Sequence, residues 1–220
     1  MDYNVESQGN IKVTELGEKN LYNFVKRLMD FIGSFVGLIV LSPVFLLVAI
    51  LIRLDSKGPI IFGHVRVGMN GEKFKAYKFR SMVPNAKEVF DNFTKEQKDE
   101  FEKNFKLDND PRITKIGGFL RKTSLDELPQ LFNIIKGEMS VVGPRPIIEK
   151  EIRKYGNDFK KAFSVKSGLT GYWQANGRSD TTYEERVKMD LYYIDNRSLV
   201  FDIKIILKTA MSVIKREGAK

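Results

Sequence analysis

Residues 31–52 read FIGSFVGLIVLSPVFLLVAILI, a run of 22 residues without a charged side chain. A helix of this length is long enough to cross a bilayer. Pro43 interrupts the run near its middle, because proline removes a backbone donor and clashes with the preceding turn. The hydroxyl of Ser42 can satisfy a carbonyl that the break frees, since lipid offers no water. The stretch therefore predicts two apolar helices joined at Ser42-Pro43.

Basic residues flank this run on both sides: Lys26 and Arg27 precede it, and Arg53 and Lys57 follow it. Lys and Arg concentrate on the cytoplasmic side of membrane segments. We therefore expect the segment to enter the membrane, bend and leave by the same face. An ordinary kinked spanning helix is the alternative. A cleavable signal is excluded, because the run starts too late and lacks a small-residue cleavage pattern.

Composition limits the possible number of domains, the chemistry and the class of partner. The chain has 220 residues, no cysteine and a formal net charge of +9. This length fits one compact domain, or one domain with an appendage, and the absence of cysteine excludes disulfides and thiolate zinc sites. A strongly basic chain suits partners that carry phosphate, whether nucleic acid, an anionic membrane surface or a nucleotide. Composition does not choose among them.

A β-hairpin is predicted after the apolar run, from residues 59–66 and 73–80 joined through Asn70-Gly71. Its second arm carries Lys78 and Arg80, which either face a phosphate or belong to a solvated basic strand. Residues 86–106 then predict one polar helix with phenylalanines on its apolar side. We assign no chemistry to that helix.

Residues 121–146 read RKTSLDELPQLFNIIKGEMSVVGPRP and carry the candidate chemistry. Ser124 precedes Glu127 by three residues, which predicts a capping box and places Asp126 and Glu127 in the first turn of a helix. A helix start holds carboxylates and can also face a phosphate. Acidic residues that simply complement the helix dipole are the alternative. At the end of the stretch, two prolines present Arg145 rigidly, and its forked guanidinium suits phosphate oxygens.

The loop at residues 168–178 holds the only Trp of the chain together with Gln174, Asn176 and Arg178. This mixture suits stacking on a base and hydrogen bonding to a sugar or phosphate, although such loops are often only turns. Thr181 with Glu184 predicts a second capping box, at the start of a helix that carries Asp190. A last amphipathic helix, at about residues 199–214, suits a membrane surface or a core equally well.

Five separated motifs resemble, in order and spacing, the bacterial monotopic phosphoglycosyl transferases. The similarity covers roughly residues 24–216, and the motifs are KRLMDFIGSFVGLIVLSP, YKFRSM, DPRITKIGGFLRKTSLDELPQLFNIIKGEMSVVGPRP, GLTGYWQANGRSDTTYEERV and DLYYIDN. A lone Asp-Glu pair would mean little, whereas five motifs in one order are specific. GRSDTTYEERV is most similar to the hexose-transferring branch, whose members transfer galactose or glucose phosphate.

The resemblance implies an α+β fold: a monotopic membrane protein with a re-entrant helix-break-helix, a small β-hairpin and amphipathic surface helices around one catalytic domain. We accordingly divide the chain into an N-terminal extension (1–20), the re-entrant segment (21–56) and the catalytic domain (57–220). The protein would lie in the bacterial inner membrane, with its catalytic domain on the cytoplasmic face.

The implied reaction moves a hexose 1-phosphate from a UDP-sugar to undecaprenyl phosphate and releases UMP, which begins the assembly of an exopolysaccharide, capsule, O-antigen or glycoprotein glycan. By the resemblance, Asp126 is the nucleophile, which forms an aspartyl phosphosugar, and Glu127 assists it. Lys78, Arg121, Arg145 and Asp190 match further positions that matter in the family.

The expected cofactor is Mg²⁺, with Asp126 and Asp190 as its ligands, because Mg²⁺ prefers a few carboxylates together with waters and substrate oxygens. The expected partners are the UDP-sugar, undecaprenyl phosphate and membrane lipid, and no nucleic acid. The substrate-binding residues we expect are Lys78, Arg80, Arg121, Arg145, Gln174 and Arg178. Whether the chain forms a homo-oligomer stays open.

Two proteins of other classes compete with this interpretation. A membrane-tethered nucleic-acid-binding protein explains the charge, and its binding would weaken steeply with salt. It explains neither the Ser42-Pro43 break nor the Asp-Glu turn. A membrane scaffold or regulatory subunit explains the amphipathic helices, but it predicts that replacing Asp126 changes no catalytic activity.

Overall fold

The structure, a computed structural model, describes residues 20–104, 107, 109–177 and 181–215. In these ranges it is rich in helix and contains two-stranded sheets, which confirms a mixed α and β fold. The predicted extension at residues 1–20 falls outside the description except for Asn20, where the first helix begins. The predicted division between residues 56 and 57 stays a prediction.

The helices and strands follow one another in chain order. They are α1 (Asn20–Val40), α2 (Ser42–Asp55), β1 (Ile61–Val67), β2 (Lys73–Phe79), α3 (Ala86–Asp91), α4 (Lys95–Asn104), α5 (Lys115–Thr123), α6 (Gln130–Lys136), β3 (Ser140–Val142), α7 (Ile152–Tyr155), α8 (Phe159–Ala162), β4 (Gly168–Thr170), α9 (Tyr172–Asn176), α10 (Tyr183–Asn196) and α11 (Leu199–Lys215). Short 3₁₀ turns lie at Met69–Gly71, Leu125–Glu127, Glu149–Glu151 and Gly156–Asp158.

The apolar run forms a bent pair of helices, and the predicted break is confirmed. Helices α1 and α2 meet at an angle of 61°. Pro43 has no N–H to offer the carbonyl of Ile39, four residues earlier. The Ser42 hydroxyl donates to that carbonyl oxygen instead, at 2.8 Å. In the described ranges, no single helix has the length and hydropathy to cross a bilayer, whereas this bent pair meets both criteria by length and composition.

The outward faces of α1, α2 and α11 are apolar and exposed. The predicted amphipathic character of the last helix is confirmed, and its apolar side faces away from the core. The exposed large apolar side chains on these three helices are Leu21, Phe24, Leu28, Met29, Phe31, Ile32, Phe35, Val36, Ile39, Val40, Leu46, Leu47, Ile50, Leu54, Val200, Ile203, Ile206, Leu207 and Met211. So many exposed large apolar side chains are unusual for a protein surface that faces only water.

The inward face of α1 binds the rest of the chain through polar side chains, and Leu38 adds an apolar contact with α6. Lys26 forms an ion pair with Asp202 of α11, with 2.8 Å between Nζ and Oδ2. The Arg27 guanidinium donates to the carbonyl oxygen of Ile134 at the end of α6, at 2.6 Å. Asp30 accepts the backbone N–H of Val141 in β3. Polar contacts therefore fix the rotation of α1 and turn its apolar side outward.

Helix α2 joins the core of the remaining chain directly. Val48 and Ile52 are buried against Phe79 of β2 and Leu120 of α5. The partly buried Leu125 and Leu128 pack on the same cluster, and they flank the Asp-Glu pair. Helix α2 and the candidate chemistry therefore share one hydrophobic core cluster.

Strands β1 and β2 form the predicted antiparallel hairpin. Ile61 lies opposite Phe79, and Val67 lies opposite Lys73. Asn70 has φ 55° in the connecting turn, the left-handed geometry that favours Asn-Gly in hairpins. The outer edge of β2 is bound by the buried amide of Asn133, which accepts from the Tyr77 N–H and donates to the Lys75 carbonyl. This contact fixes α6 against the hairpin.

Two predictions of helix boundaries outside the candidate site were wrong. The single helix predicted over residues 86–106 is divided into α3 and α4, because Thr94 and Gln97 form a reciprocal capping box that starts a new helix. The box at the start of α10 is formed by Thr182 and Glu185, one residue later than predicted. The Thr181 hydroxyl accepts the indole N–H of Trp173 instead.

Helix α5 packs against backbone at Gly117, and this contact generates a test of the fold. A Cβ at Gly117 would overlap the carbonyl oxygen of Ser81, whereas one at Gly118 would meet only Ile113 at 3.9 Å. We expect Gly117→Ala to lower the free energy of unfolding by about 1–3 kcal/mol through overpacking.

The matched control is Gly118→Ala in the same helix. It should stabilise the protein by about 0.5–1 kcal/mol, because alanine favours helix more than glycine does. Thermal unfolding of both variants in detergent measures the difference. Equal effects of the two substitutions would contradict the close approach of α5 to Ser81.

Candidate active site

The Asp-Glu pair lies in a 3₁₀ turn between α5 and α6, not at the start of α6. The predicted capping box at Ser124 is wrong, because Ser124 has φ 58° and its side chain caps nothing. Ser124 instead ends α5 in the left-handed conformation and turns the chain sharply. The turn brings Asp126, which is 7% exposed, inward beside Glu127.

Lys78 lies between the two carboxylates. Its Nζ donates to Oε1 of Glu127 at 2.6 Å and lies 3.6 Å from Oδ2 of Asp126. Arg145 donates to the same Glu127 oxygen at 3.1 Å. The hairpin supplies the lysine, and the turn after β3 supplies the arginine. The structure thus brings together four of the predicted site residues.

The position of Arg145 follows from tight backbone packing after β3. Strands β3 and β4 run parallel, with Ser140 opposite Gly168. Gly143 lies so close to the backbone of residues 166–168 that a side chain would overlap it. The Gly168 N–H donates to the carbonyl of Pro144 at 2.9 Å. The turn that carries Arg145 therefore has little freedom to move.

The two carboxylates differ in electrostatic environment. Burial raises the pKa of Asp126, and the charge of Glu127 adds to this, although Lys78 opposes it. Burial acts in the same direction on Glu127, but Lys78 and Arg145 together hold its pKa well below the usual range. Glu127 is therefore a firmly ionised partner of two cations. Asp126 is a buried carboxylate whose negative charge is compensated less by nearby cations.

Arg121 approaches the pair from the end of α5. Its Nε donates to the hydroxyl of Ser81 at 2.9 Å. Burial lowers the pKa of Arg121, and the charge of Asp126 is the largest effect that opposes this. Arg121 thus contributes positive charge near Asp126. Its side chain is held by Ser81, the residue against which Gly117 packs.

The site also contains a residue that the sequence did not indicate, Arg66 of β1. It lines a small cavity of about 10 Å³ together with Lys78, Glu127, Gln130 and Arg145. Strand alternation could have indicated it, since residues directly opposite in a hairpin share a face. Arg66 pairs with Phe74, and Phe74 and Lys78 lie an even number of residues apart on β2.

Asp190 belongs to a buried cluster with Tyr155 and Arg186, which Glu151 links to Arg66. Its carboxylate accepts from the Tyr155 hydroxyl at 2.7 Å and lies 4.0 Å from Arg186 Nε. Burial raises the pKa of Asp190 to about 6, although Arg186 opposes the rise. Arg186 also binds Glu151, at 3.5 Å. Asp190 therefore already has partners, and no contact between it and Asp126 is present.

Asp126 and Asp190 were predicted as ligands of Mg²⁺, and their surroundings show how well each suits that role. In the described ranges, no cluster of three or more His, Cys, Asp or Glu residues forms a metal site. Mg²⁺ often uses only one or two carboxylates, with waters and substrate phosphates completing its shell. The incompletely compensated Asp126 fits that role. Asp190 fits less well, because its Oδ2 already accepts from the Tyr155 hydroxyl and lies 4.0 Å from Arg186 Nε.

Three other predicted substrate residues lie apart from this group or outside the described ranges. Arg80 binds the backbone at the end of α2, where its guanidinium donates to the carbonyl of Ser56 at 2.7 Å and to that of Lys57. Gln174 is buried in α9 near Gly171, and neither polar atom of its amide has a hydrogen-bond partner among the described residues. Arg178 lies outside the described residues. A substrate contact for each of the three stays a prediction.

Comparisons with known proteins agree with this geometry. The sequence model of the family described as bacterial sugar transferase matches residues 21–216. The chain is 47% identical over 212 residues to the UDP-galactose-lipid carrier transferase of Erwinia amylovora, covering 95% of this chain and 44% of that protein. It is 48% identical over 204 residues to the undecaprenyl-phosphate galactose phosphotransferase of Salmonella typhimurium, covering 91% of this chain and 43% of that protein.

A third relative, the exopolysaccharide production protein ExoY of Rhizobium meliloti, is 45% identical over 199 residues, which cover 88% of this chain and 87% of that protein. The chain thus spans less than half of the first two relatives and most of the third. The family match includes the bent helix pair, the Asp-Glu turn and every described cation around it. The chain belongs to the bacterial sugar transferase family.

Proposed function

We propose that this chain transfers a hexose 1-phosphate from a UDP-sugar to undecaprenyl phosphate, releases UMP and so begins the assembly of a membrane-linked glycan. The observation that carries the proposal is the enclosed group in which Lys78 contacts Asp126 and Glu127 while Arg145 contacts Glu127. Cations beside a buried carboxylate suit attack on a diphosphate, whose charge they neutralise. The names of the Erwinia and Salmonella relatives support these two substrates.

Donor binding requires the charged side chains to move. The cavity that Lys78, Glu127 and Arg145 line, about 10 Å³, is at the lower limit for one water molecule. A diphosphate fits only if Lys78 and Arg145 exchange the Glu127 carboxylate for phosphate oxygens. Both side chains are long enough to do so while their backbones stay fixed.

In the first step, a carboxylate oxygen of Asp126 attacks the β-phosphorus of the donor. A bond forms between that oxygen and phosphorus, and the bond from phosphorus to the bridging oxygen breaks. The bridging oxygen keeps the electron pair and leaves as part of UMP. The high charge of the diphosphate opposes this attack, and Lys78, Arg121 and Arg145 offset the repulsion.

In the second step, an oxygen of undecaprenyl phosphate attacks the same phosphorus. The bond between the Asp126 carboxylate oxygen and phosphorus breaks, and its electron pair returns to that oxygen. The product, undecaprenyl diphosphate carrying the sugar, leaves. Glu127 holds Lys78 and Arg145 in the site of the free protein, and phosphate oxygens take its place at these cations when the donor binds. Its lowered pKa, which these two cations cause against the effect of burial, makes it a poor proton carrier in the free protein.

Mg²⁺ would be held by Asp126, with substrate oxygens and water completing its shell. When bound, it would supply positive charge to the diphosphate as the phosphorus–oxygen bond breaks.

We further propose that α1 and α2 form a re-entrant membrane segment and that the catalytic domain lies on the cytoplasmic face of a bacterial inner membrane. Both ends of the pair bind the same body of protein: Arg27 of α1 binds α6, and the end of α2 is bound by Arg80 of β2. A spanning segment would need its ends on opposite faces. The exposed apolar sides of α1, α2 and α11 supply the lipid contact.

The transfer proposal predicts that purified protein in detergent with Mg²⁺ releases UMP from a UDP-sugar, and that undecaprenyl phosphate in excess of enzyme sustains the release. Asp126→Asn should abolish it, since the amide cannot form the phosphoester. A luminescent UMP assay across UDP-sugars measures the reaction and identifies the donor. Full activity in Asp126→Asn would exclude this mechanism.

Folding controls accompany that assay. Because the folded protein raises the pKa of Asp126, its charge opposes folding at neutral pH, so Asp126→Asn should keep or raise the unfolding temperature there. Glu127→Gln should lower it, because ionised Glu127 contributes stability that is present at neutral pH and lost on acidification. The exposed Asp158→Asn is the matched control for activity and stability.

The topology proposal predicts that cysteines at Asn20→Cys and Lys57→Cys are labelled from the same side of the membrane. The chain has no native cysteine, so each label reports one position. An impermeant maleimide should label both in inverted inner-membrane vesicles and neither in intact spheroplasts. Labelling of the two positions from opposite sides would contradict the re-entrant topology and support a kinked spanning helix.

A further inference from the structure

Asp190 is deeply buried but takes no part in the two chemical steps. It lies on α10 and is only 1% exposed. Its Oδ2 accepts from the Tyr155 hydroxyl at 2.7 Å and lies 4.0 Å from Nε of Arg186, one turn earlier on the same helix. Burying a carboxylate this deeply is costly unless a cation compensates it. Arg186 is within ion-pair distance, so the role of Asp190 is to be sought through Arg186.

Arg186 is a buried cation that two carboxylates share. Its Nη1 donates to Oε1 of Glu151 at 3.5 Å, and Asp190 lies on its Nε side. The rings of Trp173 and Tyr183 hold the guanidinium in place, with their centroids 4.7 Å and 5.0 Å from its central carbon. Its Nε and Nη2 have no hydrogen-bond partner among the described residues. Arg186 therefore has donors left with which to bind a carboxylate more closely.

Glu151 stands between Arg186 and a second cation, Arg66. Its Oε1 accepts from Arg186, and its Oε2 lies 3.7 Å from Nη1 of Arg66. The two arginines thus compete for one carboxylate. A loss of negative charge beside Arg186 would draw Glu151 toward Arg186 and weaken its hold on Arg66, because a buried cation without a counter-charge is unfavourable.

Arg66 links this buried network to the site. It lines the small cavity together with Lys78, Glu127 and Arg145. Burial lowers the pKa of Arg66 to about 10, and the charge of Arg145 adds to this, so the residue remains cationic at neutral pH. Its forked guanidinium suits phosphate oxygens. Both substrates bring a phosphate to the cavity, and the argument for the network is the same whichever of them Arg66 contacts.

We propose that Asp190 is a positioning residue, whose charge balances Arg186 and so leaves Glu151 to hold Arg66 at the cavity for a substrate phosphate. This inference rests on the proposed function. Charges alternate along the network, from Asp190 through Arg186 and Glu151 to Arg66. The role differs from that of a Mg²⁺ ligand, because Asp190 acts at a distance through three other side chains.

A double-mutant cycle tests the proposal. Full-length protein is prepared in nanodiscs as wild type, Asp190→Asn, Arg66→Gln and the double variant. Asn keeps an oxygen that can accept the Tyr155 hydroxyl and removes only the charge. The matched control is Asp195→Asn, an exposed carboxylate on the same helix that pairs with Lys161 at 2.8 Å. Steady-state kinetics give kcat/KM separately for the UDP-sugar and for undecaprenyl phosphate.

We expect Asp190→Asn to lower kcat/KM by about threefold to a hundredfold, the range of couplings within one ion-pair network. The substrate affected should be the same one that Arg66→Gln affects, which identifies the phosphate that Arg66 contacts. In the Arg66→Gln background, Asp190→Asn should change kcat/KM by less than about twofold, since the residue through which it acts is gone. Asp195→Asn should match the wild type.

Two further measurements decide the matter if one of these variants does not fold. Combining Arg186→Gln with Asp190→Asn removes the competing cation together with its counter-charge, so kcat/KM should recover toward the wild-type value. Glu151→Gln repeats the cycle with Arg66→Lys one link nearer the cavity and should again be non-additive. An EPR titration with Mn²⁺ in place of Mg²⁺ measures metal binding directly, and Asp190→Asn should leave its Kd unchanged.

Additive effects of Asp190→Asn and Arg66→Gln would overturn the assignment, because Asp190 would then act by another route. Unchanged kcat/KM in Arg66→Gln would do the same. Weaker Mn²⁺ binding in Asp190→Asn would instead support a metal ligand, and a lower unfolding temperature with unchanged kcat/KM would leave Asp190 only a structural role. Failure of the wild type to release UMP would contradict the proposed function itself, so the two ideas fail in different measurements.

Discussion

The contact of one lysine ammonium with two adjacent buried carboxylates is the interaction on which the site depends. Lys78 binds Glu127 at 2.6 Å and lies 3.6 Å from Asp126, while Arg145 binds Glu127 alone. Burying two carboxylates side by side is costly unless cations compensate them. Here the compensation is unequal: Glu127 receives most of it, and Asp126 keeps a raised pKa. In the proposed mechanism, this inequality distinguishes Glu127, the anchoring carboxylate, from Asp126, the nucleophile.

The same residues tie the site to the apolar surface of the protein. The Asp-Glu turn is flanked by leucines that share a core cluster with α2, and α1 is held by Lys26, Arg27 and Asp30 through polar contacts. These contacts turn the apolar sides of the helix pair outward. The proposed mechanism needs this arrangement, because one substrate is dissolved in the membrane and the other in water.

Local rules predicted the parts of the fold that depend on few residues. The Ser42-Pro43 break follows from one missing N–H, and the Asn-Gly turn follows from one pair of left-handed residues. The capping box at Ser124 failed because the sharp turn after α5 imposes a left-handed backbone there, a tertiary constraint that its spacing to Glu127 does not reveal.

The family motifs predicted the site only in part. Lys78, Arg145 and the dyad meet as the resemblance implied, whereas Arg80 lies beyond the end of β2 and binds the carbonyls that end α2. Arg66 was missed although it shares a face of the hairpin with Lys78, so strand alternation from the predicted Lys78 could have indicated it.

Mass spectrometry of the intact protein tests the central claim, that Asp126 is the nucleophile, most directly. The protein is mixed with a UDP-sugar that it uses, in the absence of undecaprenyl phosphate, and quenched during a single turnover. The account predicts a mass increase of one sugar phosphate, mapped to Asp126 by peptide fragmentation and lost when the lipid phosphate is added. Transfer in the complete reaction with no adduct at any point in that time course would contradict it and favour direct transfer between the two substrates.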